Sequence, residues 1–112
     1  MTRKQKDRSA LLKEYQQLKK ELVSVGFICV GTVSAVYRQC GKQNCRCHND
    51  PDSRHGPYSL WTLKIKGKTT SRFLNEENAK ECKDWITNQR KLQKIIKRMQ
   101  ELSKKAAADW HR

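Results

Sequence analysis

The residues with the greatest capacity for chemistry lie in the run Cys40-Gly41-Lys42-Gln43-Asn44-Cys45-Arg46-Cys47-His48, followed by His55-Gly56-Pro57. Three thiols fall within eight residues on a stretch holding Gly and Asn, which lets their thiolates converge on one centre. His55, eight residues past Cys47 across a Pro/Gly-rich loop, supplies a fourth donor. Three cysteines and one histidine are an ordinary tetrahedral zinc set. His48 competes for the fourth position, but side chains of adjacent residues point apart, so His48 ranks behind His55. The spacing C-x4-C-x-C differs from the common C-x2-C pair, and no second C-x2-C follows. The alternative is a cluster of reduced surface cysteines, and free thiols this dense would be a redox liability. With every position filled by protein, the zinc is structural and leaves no open site for substrate. Cys29 and Cys82 have no partner in sequence and read as small buried hydrophobes.

Other chemistry is poorly represented. The chain has no paired-carboxylate site, no H-E-x-x-H, no Gly-rich phosphate loop and no nucleophile with an evident base. Asp50 and Asp52 beside His48 can be drawn as a catalytic cluster, but a loop of this composition is usually just a loop. A non-enzymatic role is expected. Charge points to the partner instead. Among 112 residues, 25 are Lys or Arg and 11 are Asp or Glu, a net charge of +14. Basic and acidic residues number 7 and 3 over positions 1–25, 8 and 2 over 26–74, and 10 and 6 over 75–112, so the excess is not a detachable tail. Such self-repulsion favours a polyanion partner, nucleic acid first and an anionic membrane surface second. A plain basic protein without such a partner is the simpler alternative. No apolar h-region follows the basic Met1 to Arg8, and the apolar run Val23 to Val36 is broken by Ser, Gly and Thr and too short for a bilayer. The expectation is a cytoplasmic protein outside the membrane, whose five cysteines, an odd number, stay reduced.

The knuckle needs elements to hold it. An α+β fold is expected: a small antiparallel sheet carrying the zinc knuckle, flanked by an N-terminal helix and a long C-terminal one. Residues 1–25 form the first helix, 26–74 the knuckle and hairpin, and 75–112 the last helix. In the first, Leu11, Tyr15, Leu18, Leu22 and Val25 follow 4-3-4-3 spacing, an apolar seam of the coiled-coil kind, and Gly26 is a stop. Phe27 to Gln39 is rich in Val, Ile and Thr and reads as a strand, while Cys40 to Pro57 reads as loop. Tyr58 to Ile65 and Thr69 to Leu74 flank a two-residue turn at Lys66-Gly67, which would pair Ile65 with Lys68, Leu63 with Thr70, Trp61 with Arg72, and Leu60 with Phe73. Which face is core is left open. Asn75, with Asn78 three residues on and Glu76 and Glu77 between, marks a helix start running to about Ala108. Trp85, Leu92, Ile96 and Met99, with Ile95 and Leu102 beside them, give a second stripe. Its far half needs cover from the first helix, as an intramolecular antiparallel pair, or from a second copy in a homodimer. The expected interface joins Leu11, Tyr15, Leu18 and Leu22 to Leu92, Ile96 and Met99.

The run Arg38 to Cys47, then His55-Gly56-Pro57-Tyr58, then Gly67-Lys68 and a basic strand, resembles a family of small prokaryotic proteins. Its members share a C-G-K-x-x-C-x-C … H-G-P-Y motif ahead of a hairpin and a helix. The likeness covers roughly residues 31–90 and implies an association with mobile elements. A looser, architectural likeness, with Ala79 and Trp85 on the helix, is to the sheet-plus-helix arm-binding domains of tyrosine integrases, which place a three-stranded sheet in the DNA major groove.

If the sheet is the reader, its solvent face is expected to carry Lys64, Lys66, Lys68 and Arg72, with Arg38, Lys42, Arg46 and Arg54 nearby, all contacting phosphates. Thr62, Thr69 and Ser71 add hydroxyls, and Trp61 or Tyr58 can stack on an exposed base. The plainer role for the lysines is a charged edge that blocks sheet aggregation. DNA and structured RNA are both compatible with this pattern. The rival function is an adaptor: a zinc-stapled dimer docking on a larger nucleoprotein machine, such as a transposase or an RNA-guided nuclease complex.

Overall fold

The computed structural model describes residues 3–108 and 110. Two helices and a three-stranded antiparallel sheet follow in the order α1 (Arg3–Val23), β1 (Thr32–Arg38), β2 (His55–Ile65), β3 (Lys68–Leu74) and α2 (Glu76–Ala106). The expected α+β class holds. The chain divides into a sheet unit, Cys29–Ile86, and a helical unit made of the segments up to Ile28 and from Thr87 onward. No helix among the described residues is long and apolar enough to cross a membrane.

In the sheet unit the strands lie in the order β1-β2-β3. The β2–β3 register is the one expected: Ile65 opposite Lys68, Leu63 opposite Thr70, Trp61 opposite Arg72, and Leu60 opposite Phe73. Lys66 and Gly67 both have positive φ, 50° and 82°, which is what a two-residue turn matched to the strand twist requires. Directly opposed residues share a face, so Val33, Trp61 and Arg72 lie on one side and Ser34, Leu60 and Phe73 on the other. The first side is the covered one. A cavity of about 170 Å³ there is lined by Cys29, Trp61, Leu74, Asn78, Cys82 and Trp85, so the first turns of α2 lie against it. Ala79, Cys82 and Ile86 are buried on that helix. Its start is capped as expected, the Asn78 amide donating to Asn75 Oδ1 at 2.7 Å.

β1 is shorter than the expected strand. Phe27 to Gly31 run outside the ladder: the Cys29 amide donates to the Trp85 carbonyl at 3.1 Å, and the Val30 carbonyl accepts the Trp61 indole N–H at 2.9 Å. These backbone groups find partners outside the strand ladder, which ends the pairing at Thr32.

In the helical unit, α1 and the later part of α2 run antiparallel within one chain. Arg98 Nη2 donates to both carboxylate oxygens of Glu14 at 3.0 Å, and Arg8 Nη2 reaches the Ala106 carbonyl at 3.3 Å. Near the other end, Asn88 Nδ2 donates to the Phe27 carbonyl at 2.8 Å. The α1 seam of Leu11, Tyr15, Leu18 and Leu22 is half-buried. On α2 the buried stripe is displaced by one position from the expected one. Ile95 and Leu102 are buried, Leu92 and Met99 half-buried, and Ile96 is 42% exposed. The 3-4-3 spacing of 92, 95, 99 and 102 tracks a 3.6-residue helix past its neighbour, and position 96 falls off that line.

Candidate metal centre and the open sheet face

Two short 3-10 turns, Arg46–His48 and Pro51–Ser53, shape the segment that was expected to be plain loop. The first is entered by a turn in which the Cys45 amide donates to the Lys42 carbonyl at 3.2 Å, and left by one from the Asn49 amide to the Arg46 carbonyl at 3.1 Å. Asp50 caps the second: its carboxylate accepts from the Asp52 amide at 3.1 Å and the Ser53 hydroxyl at 3.0 Å. The chain then enters β2 at His55, three residues ahead of the expected start, because a bulge between Val36 and Arg38 lets Arg38 pair with His55. Gly56 makes that close approach possible. Its φ is +139°, and a Cβ there would lie 2.8 Å from the Val36 carbonyl oxygen and 3.1 Å from Tyr37 Cδ1.

This backbone path brings together Cys40, Cys45, Cys47 and His55, whose ligand atoms all lie within 4.8 Å of one another, close enough to hold a metal ion. Cys40 Sγ and Cys47 Sγ are 3.6 Å apart, and Cys45 Sγ and His55 Nε2 are 3.3 Å apart. The Cys40 amide donates to Cys47 Sγ at 3.3 Å, a bond that stabilises negative charge on that sulfur and orients it. Cys47 is buried, Cys40 and Cys45 are half-buried, and His55 is exposed. The Cys47 backbone and then the His55 ring pull the Cys45 thiol down to about 6, while burial pushes Cys47 up. His48 lies outside the group. Cys82 is buried, as expected of a small hydrophobe, and Cys29 half-buried; burial, then the neighbouring Cys29, pushes Cys82 up to about 11.

The cluster sits where β1 ends and β2 begins, at one end of the open sheet face. On that face the Arg38 guanidinium lies 4.9 Å from the Phe73 ring centroid, and Tyr58 meets Phe73 edge-on at 6.2 Å and 77°. Thr62 and Ser71 hydroxyls are 3.2 Å apart. Lys64, opposite Thr69, belongs to the same face. Lys68 and Arg72 do not. The two-residue turn sets Lys68 opposite Ile65 and Arg72 opposite Trp61, so both lie on the other side of the sheet, and the single basic face expected from Lys64 to Arg72 is split. Lys66 occupies the turn, and Lys42, Arg46 and Arg54 are exposed on the knuckle loop. Trp61 is on the covered side with its N–H satisfied, which removes it as a base platform. Phe73, rather than Trp61, is the aromatic residue beside Tyr58 on the open face. The expected pairing with Leu60 already puts it on the face of Tyr58.

Residues 3–84 match the domain of unknown function DUF6788, and the chain belongs to that family. No curated protein matches it, and no solved structure does.

Proposed function

We propose that this protein is a non-enzymatic nucleic-acid-binding module, with a structural zinc ion that fixes the knuckle loop against the end of its sheet. The observation that carries the reading is a set of cations without ion-pair partners in the sheet unit, Arg38 and Lys64 among them on its open face. Of Arg38, Lys42, Arg46, Arg54, Lys64, Lys66, Lys68 and Arg72, only Arg46 forms an ion pair among the described residues, with Asp50 at 3.6 Å. Positions 26–74 hold 8 basic and 2 acidic residues, a surplus of +6. Cations left this way are neutralised by phosphates, with release of counterions.

The donor set suits zinc. Bonds of roughly 2.3 Å to sulfur and 2.0–2.1 Å to nitrogen at a tetrahedral centre place two sulfurs roughly 3.8 Å apart and sulfur and nitrogen roughly 3.6 Å apart. The distances of 3.6 and 3.3 Å fall within a few tenths of these values. Thiolates with an imidazole favour zinc over the hard cations magnesium and calcium.

The test is affinity measured across salt for nucleic acids of unrelated sequence. Binding should weaken steeply as salt rises. Arg38→Gln with Lys64→Gln should weaken it similarly for all sequences and lower the salt slope by about two. Lys68→Gln with Arg72→Gln, on the other side of the sheet, should do less. Absence of salt-dependent binding to any nucleic acid would remove the reading. The adaptor alternative draws on a different feature, an apolar groove of about 560 Å³ in the helical unit lined by Tyr15, Leu22, Ile96 and Met99 among others. A second copy or a partner protein seated there would leave bare nucleic acid unbound and make binding depend on that partner.

A further inference from the structure

We infer that the nucleic acid recognised by the open sheet face is single-stranded, with unpaired bases stacking on Phe73 and Tyr58. This rests on the nucleic-acid reading above and narrows it to a substrate class. Phe73 is 48% exposed and Tyr58 42% exposed, side by side on the face opposite the one lined by Trp61 and Leu74. Aromatic rings offer nothing to phosphates, and in a duplex the base faces are already occupied by their neighbours. They do offer a platform to a base that has left its stack. The rings stand nearly perpendicular, at 77°, so bases stacked on the two could not lie parallel as they do in a duplex, and the pair suits bases that have separated.

The surroundings complete the site. Arg38 lies over Phe73 at 4.9 Å, where its planar guanidinium can stack beneath a base or meet the adjoining phosphate. Thr62 and Ser71, hydrogen-bonded to each other at 3.2 Å, can exchange that bond for one to a base edge. Lys64, farther along the same strand, meets the backbone. The face thus runs from aromatic rings through hydroxyls to Lys64 along β2 and β3, a pattern that suits a strand laid across the sheet better than the phosphate rails of a duplex.

The experiment compares the zinc-loaded full chain binding to oligothymidine, oligouridine, and mixed-sequence DNA and RNA duplexes of equal length at one salt concentration. One or both single strands should bind at least tenfold more tightly than either duplex, and the preferred sugar identifies the source. Phe73→Leu and Tyr58→Leu should each lower single-strand affinity by about 5- to 150-fold, with the salt slope and duplex binding unchanged. Phe73→Trp should retain affinity. Zinc content and circular dichroism of each variant report its fold, and Phe73→Trp answers the question if Phe73→Leu unfolds. Duplex binding as tight as single-strand binding, with leucine variants unaffected, would overturn this inference and leave the nucleic-acid reading standing. No salt-dependent binding to any of the four would overturn both.

Discussion

Replacing Gly56 by alanine tests whether the close approach of β2 to β1 is what delivers His55 to the metal cluster. Two costs combine. A φ of +139° is a conformation that side chains rarely adopt, at about 1–3 kcal/mol. The new methyl would also sit 2.8 Å from the Val36 carbonyl oxygen and 3.2 Å from the Tyr37 Cα, backbone atoms that cannot turn aside, and overpacking of that kind adds about 1–3 kcal/mol. The expected loss is therefore about 4 kcal/mol, a large share of the stability of so small a domain. Gly67→Ala is the control, since its φ is +82° but nothing lies within 4 Å of the added carbon. It should cost only about 1–2 kcal/mol. Urea unfolding of the zinc-loaded variants measures both, and competition with a chelator measures metal affinity. Gly56→Ala should lose metal more readily than Gly67→Ala, because metal-binding energy is folding energy at such a site. Equal destabilisation by the two substitutions, with unchanged metal affinity, would refute the role given to Gly56.

Elemental analysis should find one zinc per chain, lost in Cys40→Ser, Cys45→Ser, Cys47→Ser and His55→Ala but kept in His48→Ala. In the metal-free protein the Cys45 thiol is held below its ordinary value, so the stability it contributes is fully present above that ordinary value and fades as pH falls through about 6. Alkylation of Cys45 should accordingly reach half its maximal rate near pH 6, whereas Cys82, pushed up to about 11, should resist at neutral pH. Leu102→Ala, at a side chain only 2% exposed, should cost about 2–3 kcal/mol in thermal or urea unfolding, at the low end for such changes because the adjoining groove lets neighbours settle. Lys66→Asn should raise stability by up to about 1 kcal/mol, since asparagine tolerates the positive φ of that turn position better than lysine.

Local rules carried the reading furthest where a few neighbouring residues decide the outcome. The Lys66-Gly67 turn fixed the β2–β3 register residue by residue, and Asn75 with its two glutamates marked the start of α2. That Cys40, Cys45, Cys47 and His55 come close enough to hold a metal ion was legible because thiols and an imidazole on a turn-rich loop can converge on one centre. The rest depended on contacts remote in sequence. Which sheet face is covered is decided by where Cys82 and Trp85 come to lie, and the β2–β3 pattern alone is symmetric on that point. The basic residues of the hairpin cluster in sequence, yet the alternation of a strand puts Lys64 on one face and Lys68 and Arg72 on the other. Phe27 to Gly31 has strand-like composition, yet Cys29 and Val30 bond outside the ladder, which propensity cannot anticipate. On α2, one position of drift in the apolar stripe distinguishes a helix packed on a specific neighbour from an idealised seam.

The two strand connections differ in a way that bears on how the sheet assembles. β2 and β3 are joined by two residues, whereas β1 and β2 are joined across positions 39–54, a stretch of sixteen. Closing the longer connection costs about 2 kcal/mol more chain entropy, three doublings of loop length. All four donors fall at or within its boundaries, from Cys40 just after β1 to His55 at the first residue of β2. A bound ion would cross-link the two ends of the connection and meet that closure cost locally, serving in place of a tight turn. The β2–β3 hairpin can then form within microseconds, while β1 joins faster where an ion is captured. Refolding should therefore show a phase whose rate rises with free zinc concentration, on a background phase that does not.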